Sequence, residues 1–188
     1  MKNIRIIQEW FKLQCNGDWE SEYGINIHTI NNPGWNINID LFDTVLSGFT
    51  IDENIDNGPD DWFFIQCNGE VFSGAGDPNK LNTILDKFIE FVMNNISKSN
   101  CLYTAYARVN KFSNLKVFRP IELKMIDLCN FEIISIPNID SKDLKVIDID
   151  DFEKIDFNKL DLDIDFSIGD KVKCELIHFY DNPSLVIL

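Results

Sequence analysis

Gly24-Ile25-Asn26-Ile27-His28-Thr29-Ile30-Asn31-Asn32-Pro33-Gly34-Trp35-Asn36-Ile37-Asn38-Ile39-Asp40-Leu41 alternates twice around one turn. Ile25, Ile27 and Thr29 alternate with Asn26 and His28, and Trp35, Ile37, Ile39 and Leu41 alternate with Asn36, Asn38 and Asp40. A period of two is the signature of a strand with one buried face. Asn31-Asn32-Pro33-Gly34 between the runs supplies turn chemistry. The stretch predicts a β-hairpin and with it an antiparallel sheet.

Working outward, residues 3–14 place Ile6 or Ile7, Trp10 and Leu13 three to four apart, which predicts a helix with Asn3 as a possible cap. Cys15-Asn16-Gly17-Asp18 stops it, Gly17 being suited to a left-handed C-cap. On the other side, Leu46 to Ile51 reads as a third strand, and Asp52 to Asp61, rich in acids and Asn, as a loop. Asp61 to Cys67 and Glu70 to Ala75 form a second hairpin around Asn68-Gly69, a favoured two-residue turn. Asp77-Pro78 then opens a helix, with Asp as N-cap and Pro in the first turn. Its apolar face is Leu81, Ile84, Leu85, Phe88, Ile89, Val92 and Met93, and it ends near Ser97-Lys98-Ser99-Asn100. These elements predict an α+β fold: an antiparallel sheet with an N-terminal helix and a second helix packed on it.

The second half is β-rich. Leu102 to Val109, Leu115 to Pro120, Ile121 to Met125, Phe131 to Ile136, Lys171 to Phe179 and Leu185 to Leu188 all read as strand material. Asp140 to Asp170 holds eleven acids and four lysines, partly alternating, as in Asp148-Ile149-Asp150 and Leu160 to Phe166. The division expected is a first domain over 1–97 and a β-rich acidic second domain or extension over 100–188.

The net charge is −14, of which residues 1–99 carry −9 and residues 100–188 carry −5. Phosphate contacts need a basic surface, so bare nucleic acid is an unsuitable partner. A basic protein is a suitable one, because complementary charge speeds encounter and rejects wrong partners. An apolar fraction of 45% with 15 Phe builds a real core, yet no apolar run is long enough to span a bilayer. Five cysteines at 15, 67, 101, 129 and 174 form no Cys-x-x-Cys pair, and the N-terminus reads as mature. Reduced thiols in a cytoplasmic protein are therefore expected. His28 and His178 lie far apart without ligand spacing, so neither a metal nor another cofactor is expected.

Chemistry-bearing patterns each have a plainer reading. Gly74-Ala75-Gly76-Asp77, between strand and helix, has the context of a phosphate-binding turn but lacks the full glycine pattern and a following Lys, so a structural turn is preferred. Asp60-Asp61 and Asp150-Asp151 offer paired carboxylates, which in so acidic a chain arise by chance. Cys15 follows a helix C-terminus, where the dipole opposes a thiolate. His28 is expected on the exposed strand face without a catalytic partner. Three of the four tryptophans, Trp10, Trp19 and Trp35, fall within 26 residues and indicate a specifically packed substructure. Trp10 and Trp62 are expected in the core, Trp19 and Trp35 partly exposed beside turns.

Gln8-Glu9-Trp10, Gln14-Cys15-Asn16-Gly17-Asp18-Trp19-Glu20, Gly24-Ile25-Asn26-Ile27-His28-Thr29 and Asn32-Pro33-Gly34-Trp35 occur in one order with Ile39-Asp40-Leu41, Asp61-Trp62 and Gly74-Ala75-Gly76. In order and spacing they resemble the Immunity protein 53 family of bacterial polymorphic toxin systems, over about residues 4–95. Asn16 and Asn31 stand where that family more often has Asp, and both keep an acceptor side chain suited to a turn. The resemblance implies a non-enzymatic cytoplasmic protein that binds and neutralises a cognate toxin domain, here expected to be basic and to be a nuclease. The contact residues expected are Trp19, Glu20, Glu22, Trp35, Asp52, Glu53, Asp56, Asp60 and Asp61. Two other readings stay open at this point: an acidic scaffold or regulator that binds a basic partner without inhibiting it, and a Cys- or carboxylate-dependent enzyme using Cys15 or an Asp pair. Residues 100–188 resemble no known family.

Overall fold

The computed structural model describes residues 2–109, 116–147, 162–179 and 182–188. The fold is α+β, with two compact units, Met1–Cys101 and Leu102–Leu188.

In the first unit, helix α1 (Lys2–Gln14) and the single turn α2 (Trp19–Glu22) precede five strands: β1 (Ile25–Ile30), β2 (Gly34–Asp40), β3 (Thr50–Asp56), β4 (Trp62–Asn68) and β5 (Val71–Gly76). Helix α3 (Leu81–Ile96) follows. The sheet is antiparallel throughout, in the order β1-β2-β5-β4-β3. Both expected hairpins form, with Ile27 opposite Ile37 in the first and Ile65 opposite Gly74 in the second.

The helices lie on one side of the sheet. Ile37, Ile39, Phe72, Phe63, Ile65 and Cys67 meet Ile84, Leu85, Phe88, Phe91 and Val92 of α3, all buried. Gly74 is what lets α3 approach: a Cβ there would sit 2.4 Å from Ile84 Cγ2. Gly34 serves the neighbouring strand pair, since a Cβ there would meet the Gly76 carbonyl oxygen at 2.3 Å. The Gly-Ala-Gly motif is therefore a strand that admits a helix rather than a loop around a phosphate.

A ladder of rings ties α1 to this core. Phe88 contacts Trp10 at 5.1 Å, Trp10 contacts Trp19 at 6.0 Å, Trp19 contacts Tyr23 at 6.0 Å, and Tyr23 contacts Phe42 at 5.3 Å. Trp10 and Trp19 thus share one packed substructure, whereas Trp35, expected with them, stands apart with its indole N–H on the Pro78 carbonyl. Trp10 is in the core as expected. Trp19, expected to be partly exposed, is instead buried, at 4% exposure, because the ring ladder covers it and its indole N–H donates to the Phe42 carbonyl at 2.8 Å.

Several expectations need correction. The third strand starts later than expected: Leu41 to Phe49 form successive turns, and β3 keeps only Thr50 and Ile51 of the expected 46–51 run before continuing through Asp56 into the stretch expected to be a loop. β3 is an edge strand with Asp52 and Asp56 on the face away from the helices and Glu53 on the helix side, and edge strands carry charge as protection against further pairing. Trp62 is half-buried rather than core, because it lies on the sheet face that the helices leave open. Ile27, at the other edge, is 37% exposed, so β1 buries little of its apolar face. Helix α1 already includes Asn3, whose side-chain amide tethers Asp86 of α3 at 2.7 Å instead of capping. Helix α3 starts at Leu81, and the Asp77 carboxylate, expected as its cap, bonds the Asn79 N–H in the preceding turn and the Trp62 N–H of β4. Met93 is exposed, and Phe91 fills the face instead.

The second unit contains β6 (Tyr103–Arg108), β7 (Lys116–Asp127), β8 (Asn130–Ser135), β9 (Lys145–Ile147), β10 (Lys171–Val172), β11 (Cys174–Phe179) and β12 (Asn182–Ile187). They form one sheet, β10-β8-β7-β6-β12-β11, with β9 beside β7. Only β12 and β6 pair in parallel. The run Lys171 to Phe179, expected as one strand, is split at Lys173. Its halves β10 and β11 are the two ends of the sheet, and two residues of chain reach only about 7 Å. The sheet must therefore roll until its ends meet, as in a small barrel. The two strands expected on either side of Pro120 are one, β7. Pro120 lies where the neighbour changes from β9, opposite Lys116–Phe118, to β8, opposite Glu122–Asp127. A residue without an N–H is harmless at that gap. The adjacent Arg119 guanidinium donates to the carbonyls of Leu162 and Pro137. Asp148 to Asp161, including the Asp150-Asp151 pair and much of the alternating acidic stretch, lies outside the described residues.

Candidate functional site

The acids expected to form one contact face divide by place and by partner. Glu20 closes the turn after α1, its carboxylate accepting from the backbone N–H of Asn16 at 2.9 Å and of Gly17 at 2.9 Å. Glu53 lies on the helix side of β3 and pairs with Lys87 of α3 at 2.9 Å, which raises the lysine's pKa. Asp61 accepts from Lys80 and from Asn57, and these bonds hold its carboxyl below the ordinary Asp range. The three are engaged in holding the fold together. Glu22, Asp52, Asp56 and Asp60 are exposed.

The register separates them further. Glu22 precedes β1, and β1 and β3 are opposite edges of a five-stranded sheet, about 19 Å apart at ordinary strand spacing. Asp52, Asp56 and Asp60 stand together on or beside β3. Trp19 is a buried anchor for the Phe42 loop, and Trp35 is half-buried with its indole N–H on the Pro78 carbonyl at 3.0 Å.

The sequence reading missed the sheet's open face. Cross-strand partners share a face. His28, Asn36, Ala75, Phe64 and Asn54 therefore form one row across it, and Asn26, Asn38, Ser73, Gln66 and Asp52 the next. Asp56 stands opposite Trp62 on the same side. Side-chain hydrogen bonds knit the amides: Asn38 donates to Asn36 at 2.7 Å, and Ser73 donates to Asn38 at 2.9 Å. Trp62 and Phe64 stack, with centroids 6.5 Å apart and planes 22° apart. The signal was present in Asp61 to Cys67, but that run is apolar on both faces, so periodicity could not say which ring faces out.

His28 is exposed, as expected, and its ring bonds only to the Asn26 side chain at 2.9 Å. No group of three or more His, Cys, Asp or Glu able to hold a metal occurs among the described residues. Burial, then Glu20, pushes the Cys15 thiol up to about 11, and burial pushes Cys174 up to about 12. At pH 8 this leaves Cys15 with about a hundredfold less thiolate than a free cysteine, and alkylation by iodoacetamide is expected to slow in proportion. Modification of Cys15 at the free-thiol rate, followed by peptide mass spectrometry, would contradict this placement. No helix among the described residues is long and apolar enough to cross a membrane.

The arrangement is that of a rigid sheet presenting one polar, partly aromatic face. One family model matches the chain, over residues 4–93, and its description is Immunity protein 53. The match covers most of the first unit. The match ends within α3, so the Immunity protein 53 region comprises the ring ladder, the five-stranded sheet and most of the second helix. The match suggests a toxin-neutralising role and implies a cognate toxin as partner. No curated protein and no solved structure matches the chain.

Proposed function

We propose that this chain is an immunity protein that binds a cognate bacterial toxin domain in the cytoplasm and blocks it by occupancy, not by chemistry. The family match over residues 4–93 carries the reading. The charge of −14 supports a basic target, and a nuclease is the target class it suits best. Nucleases hold phosphates on basic surfaces, which an acidic protein covers by offering carboxylates in their place. The role is assigned to a domain over residues 1–97, with 100–188 as a separate acidic, β-rich domain.

The test is growth rescue. Expression of the toxin domain encoded beside this gene stops growth, and co-expression of the full chain is expected to restore it and to yield a complex on purification. A parallel arm with residues 1–99 asks whether the first half suffices. Absence of both rescue and complex would sink the proposal. A complex without rescue would replace it with the scaffold reading.

A further inference from the structure

We infer that the open face of the five-stranded sheet is the docking surface for the toxin, and that it takes an arginine-bearing basic surface with the Trp62–Phe64 stack as anchor. The inference rests on the immunity reading and names the place where it acts.

Acids are scattered over much of this protein, so carboxylates alone single out nothing. The rings do. Phe64 is 41% exposed and stacked on Trp62 on β4, the strand next to the β3 edge of the open face. Antiparallel sheets commonly leave one face to water, but that face is then ordinarily polar throughout. Aromatic residues exposed at the centre of a polar surface are the usual anchors of protein interfaces. Phe64 is paired on both sides, with Asn54 of β3 and Ala75 of β5, and Trp62 is held by Asp56 of β3 and by hydrogen bonds with Asp77, so little ordering remains to be done on binding.

Charge selects the partner. No Lys or Arg lies on this face; the lysines of this unit that pair with acids of the sheet, Lys80 and Lys87, belong to the helix side. Asp52 and Asp56 flank the rings from β3: Asp56 opposite Trp62, Asp52 opposite Gln66. Unlike Glu53 and Asp61, neither has a cation partner among the described residues, and Asp56 accepts only the Gly58 N–H, at 3.1 Å. A guanidinium stacks on an aromatic face and pairs a carboxylate through two N–H groups at once, which an ammonium does less well. The row of amides running from Gln66 to Asn26 offers hydrogen bonds to the polar remainder of such a surface.

Two experiments test this separately from the immunity reading. In the first, the full-length ¹⁵N-labelled chain is titrated with octa-arginine at low salt. The largest amide shifts are expected at residues 50–56 and 62–66, together with the Trp62 indole. Shifts centred on the other exposed ring pair, Tyr23 and Phe42, or on α3, would overturn the assignment. In the second, Phe64→Ala is combined with Asp52→Asn and Asp56→Asn. All three side chains are exposed, so the far-UV spectrum and urea midpoint should be kept. Toxin binding should weaken about a hundredfold and rescue should be lost. Full rescue by this folded variant would refute the docking surface. Should the triple variant unfold, Asp52→Asn with Asp56→Asn alone serves, with loss of rescue expected and unchanged rescue counting against the surface. If wild-type protein fails to rescue while octa-arginine still maps to β3 and β4, the immunity reading falls and the cation-binding face stands.

Discussion

Replacing Trp10 by alanine is expected to lower unfolding stability by about 3–5 kcal/mol, the range for emptying a large aromatic site in a packed core. Trp10 is 0% exposed. It meets Trp19 and Phe88 edge-on, at interplanar angles of 85° and 86°, so its removal breaks the ring ladder between α1 and α3. Trp10→Phe should cost far less, for a specific reason. The Trp10 indole N–H is buried with no acceptor among the described residues, so phenylalanine forfeits no hydrogen bond and removes an unpaired donor. A buried donor left unpaired costs about 1–3 kcal/mol, which offsets part of the lost volume. Urea denaturation followed by far-UV circular dichroism reads both variants. Equal losses for Ala and Phe would show that the ring's hydrogen bonding, not its packing, matters at this site.

The second large effect is expected at Asp77. Its side chain is wholly buried, at 0% exposure, between the end of β5 and the start of α3. The carboxylate accepts from the backbone N–H of Trp62 at 3.1 Å and of Asn79 at 2.8 Å, with the Lys80 ammonium 3.9 Å away. The Asp77 N–H in turn donates to the Trp62 carbonyl at 3.1 Å. This one residue thus fastens the first residue of β4 to the turn that launches α3. Asp77→Ala strands two backbone donors, at about 1–3 kcal/mol each, and a loss of about 2–5 kcal/mol is expected. Asp77→Asn keeps one acceptor oxygen and should recover part of it. An alanine variant with an unchanged urea midpoint would refute the latch. Because Trp62 stands at the far end of that hydrogen bond, Asp77→Asn should also broaden the Trp62 indole resonance while leaving that of Trp19 alone.

What could be read from the sequence was what local chemistry decides. The hairpins at Asn31–Gly34 and Asn68–Gly69 follow from turn residues flanked by alternating runs, and both form. The stripes of α1 and α3 follow from their spacing, and Ile7, Trp10, Ile84, Leu85, Phe88 and Val92 are buried, though Met93 is not. Properties set by distant partners were hidden. β3 reads as a loop because Asp52, Glu53 and Asp56 crowd it, and only its place at the sheet edge makes that composition suitable for a strand. Asp77 reads as a helix cap because Pro78 follows it, whereas its carboxylate reaches back to β4. Among the contact residues expected from charge, a count of acids could not tell Glu53, held by Lys87, from its neighbour Asp52 on the opposite face of the sheet. Trp62 shows the same limit: in a run apolar on both sides, pairing with β5 decides which rings face the helices. In the second unit, Lys173 gave no local sign that the chain turns there from one end of the sheet to the other.

That rolled sheet has a consequence in time. β12 inserts between β6 and β11, and Leu185 pairs with Ala105. At the usual 5–20 residues per second of synthesis, β6 emerges roughly 4–16 s before the strand that covers its edge. Non-local parallel pairing is also the slow kind. All strands of the first unit, by contrast, are made by Gly76, and its last helix by Ile96. The Immunity protein 53 sheet is therefore complete while the second unit still waits, half-built and with an open edge, for its final strand. The newborn protein is most exposed to misassembly and proteolysis late, in the half that the family does not cover.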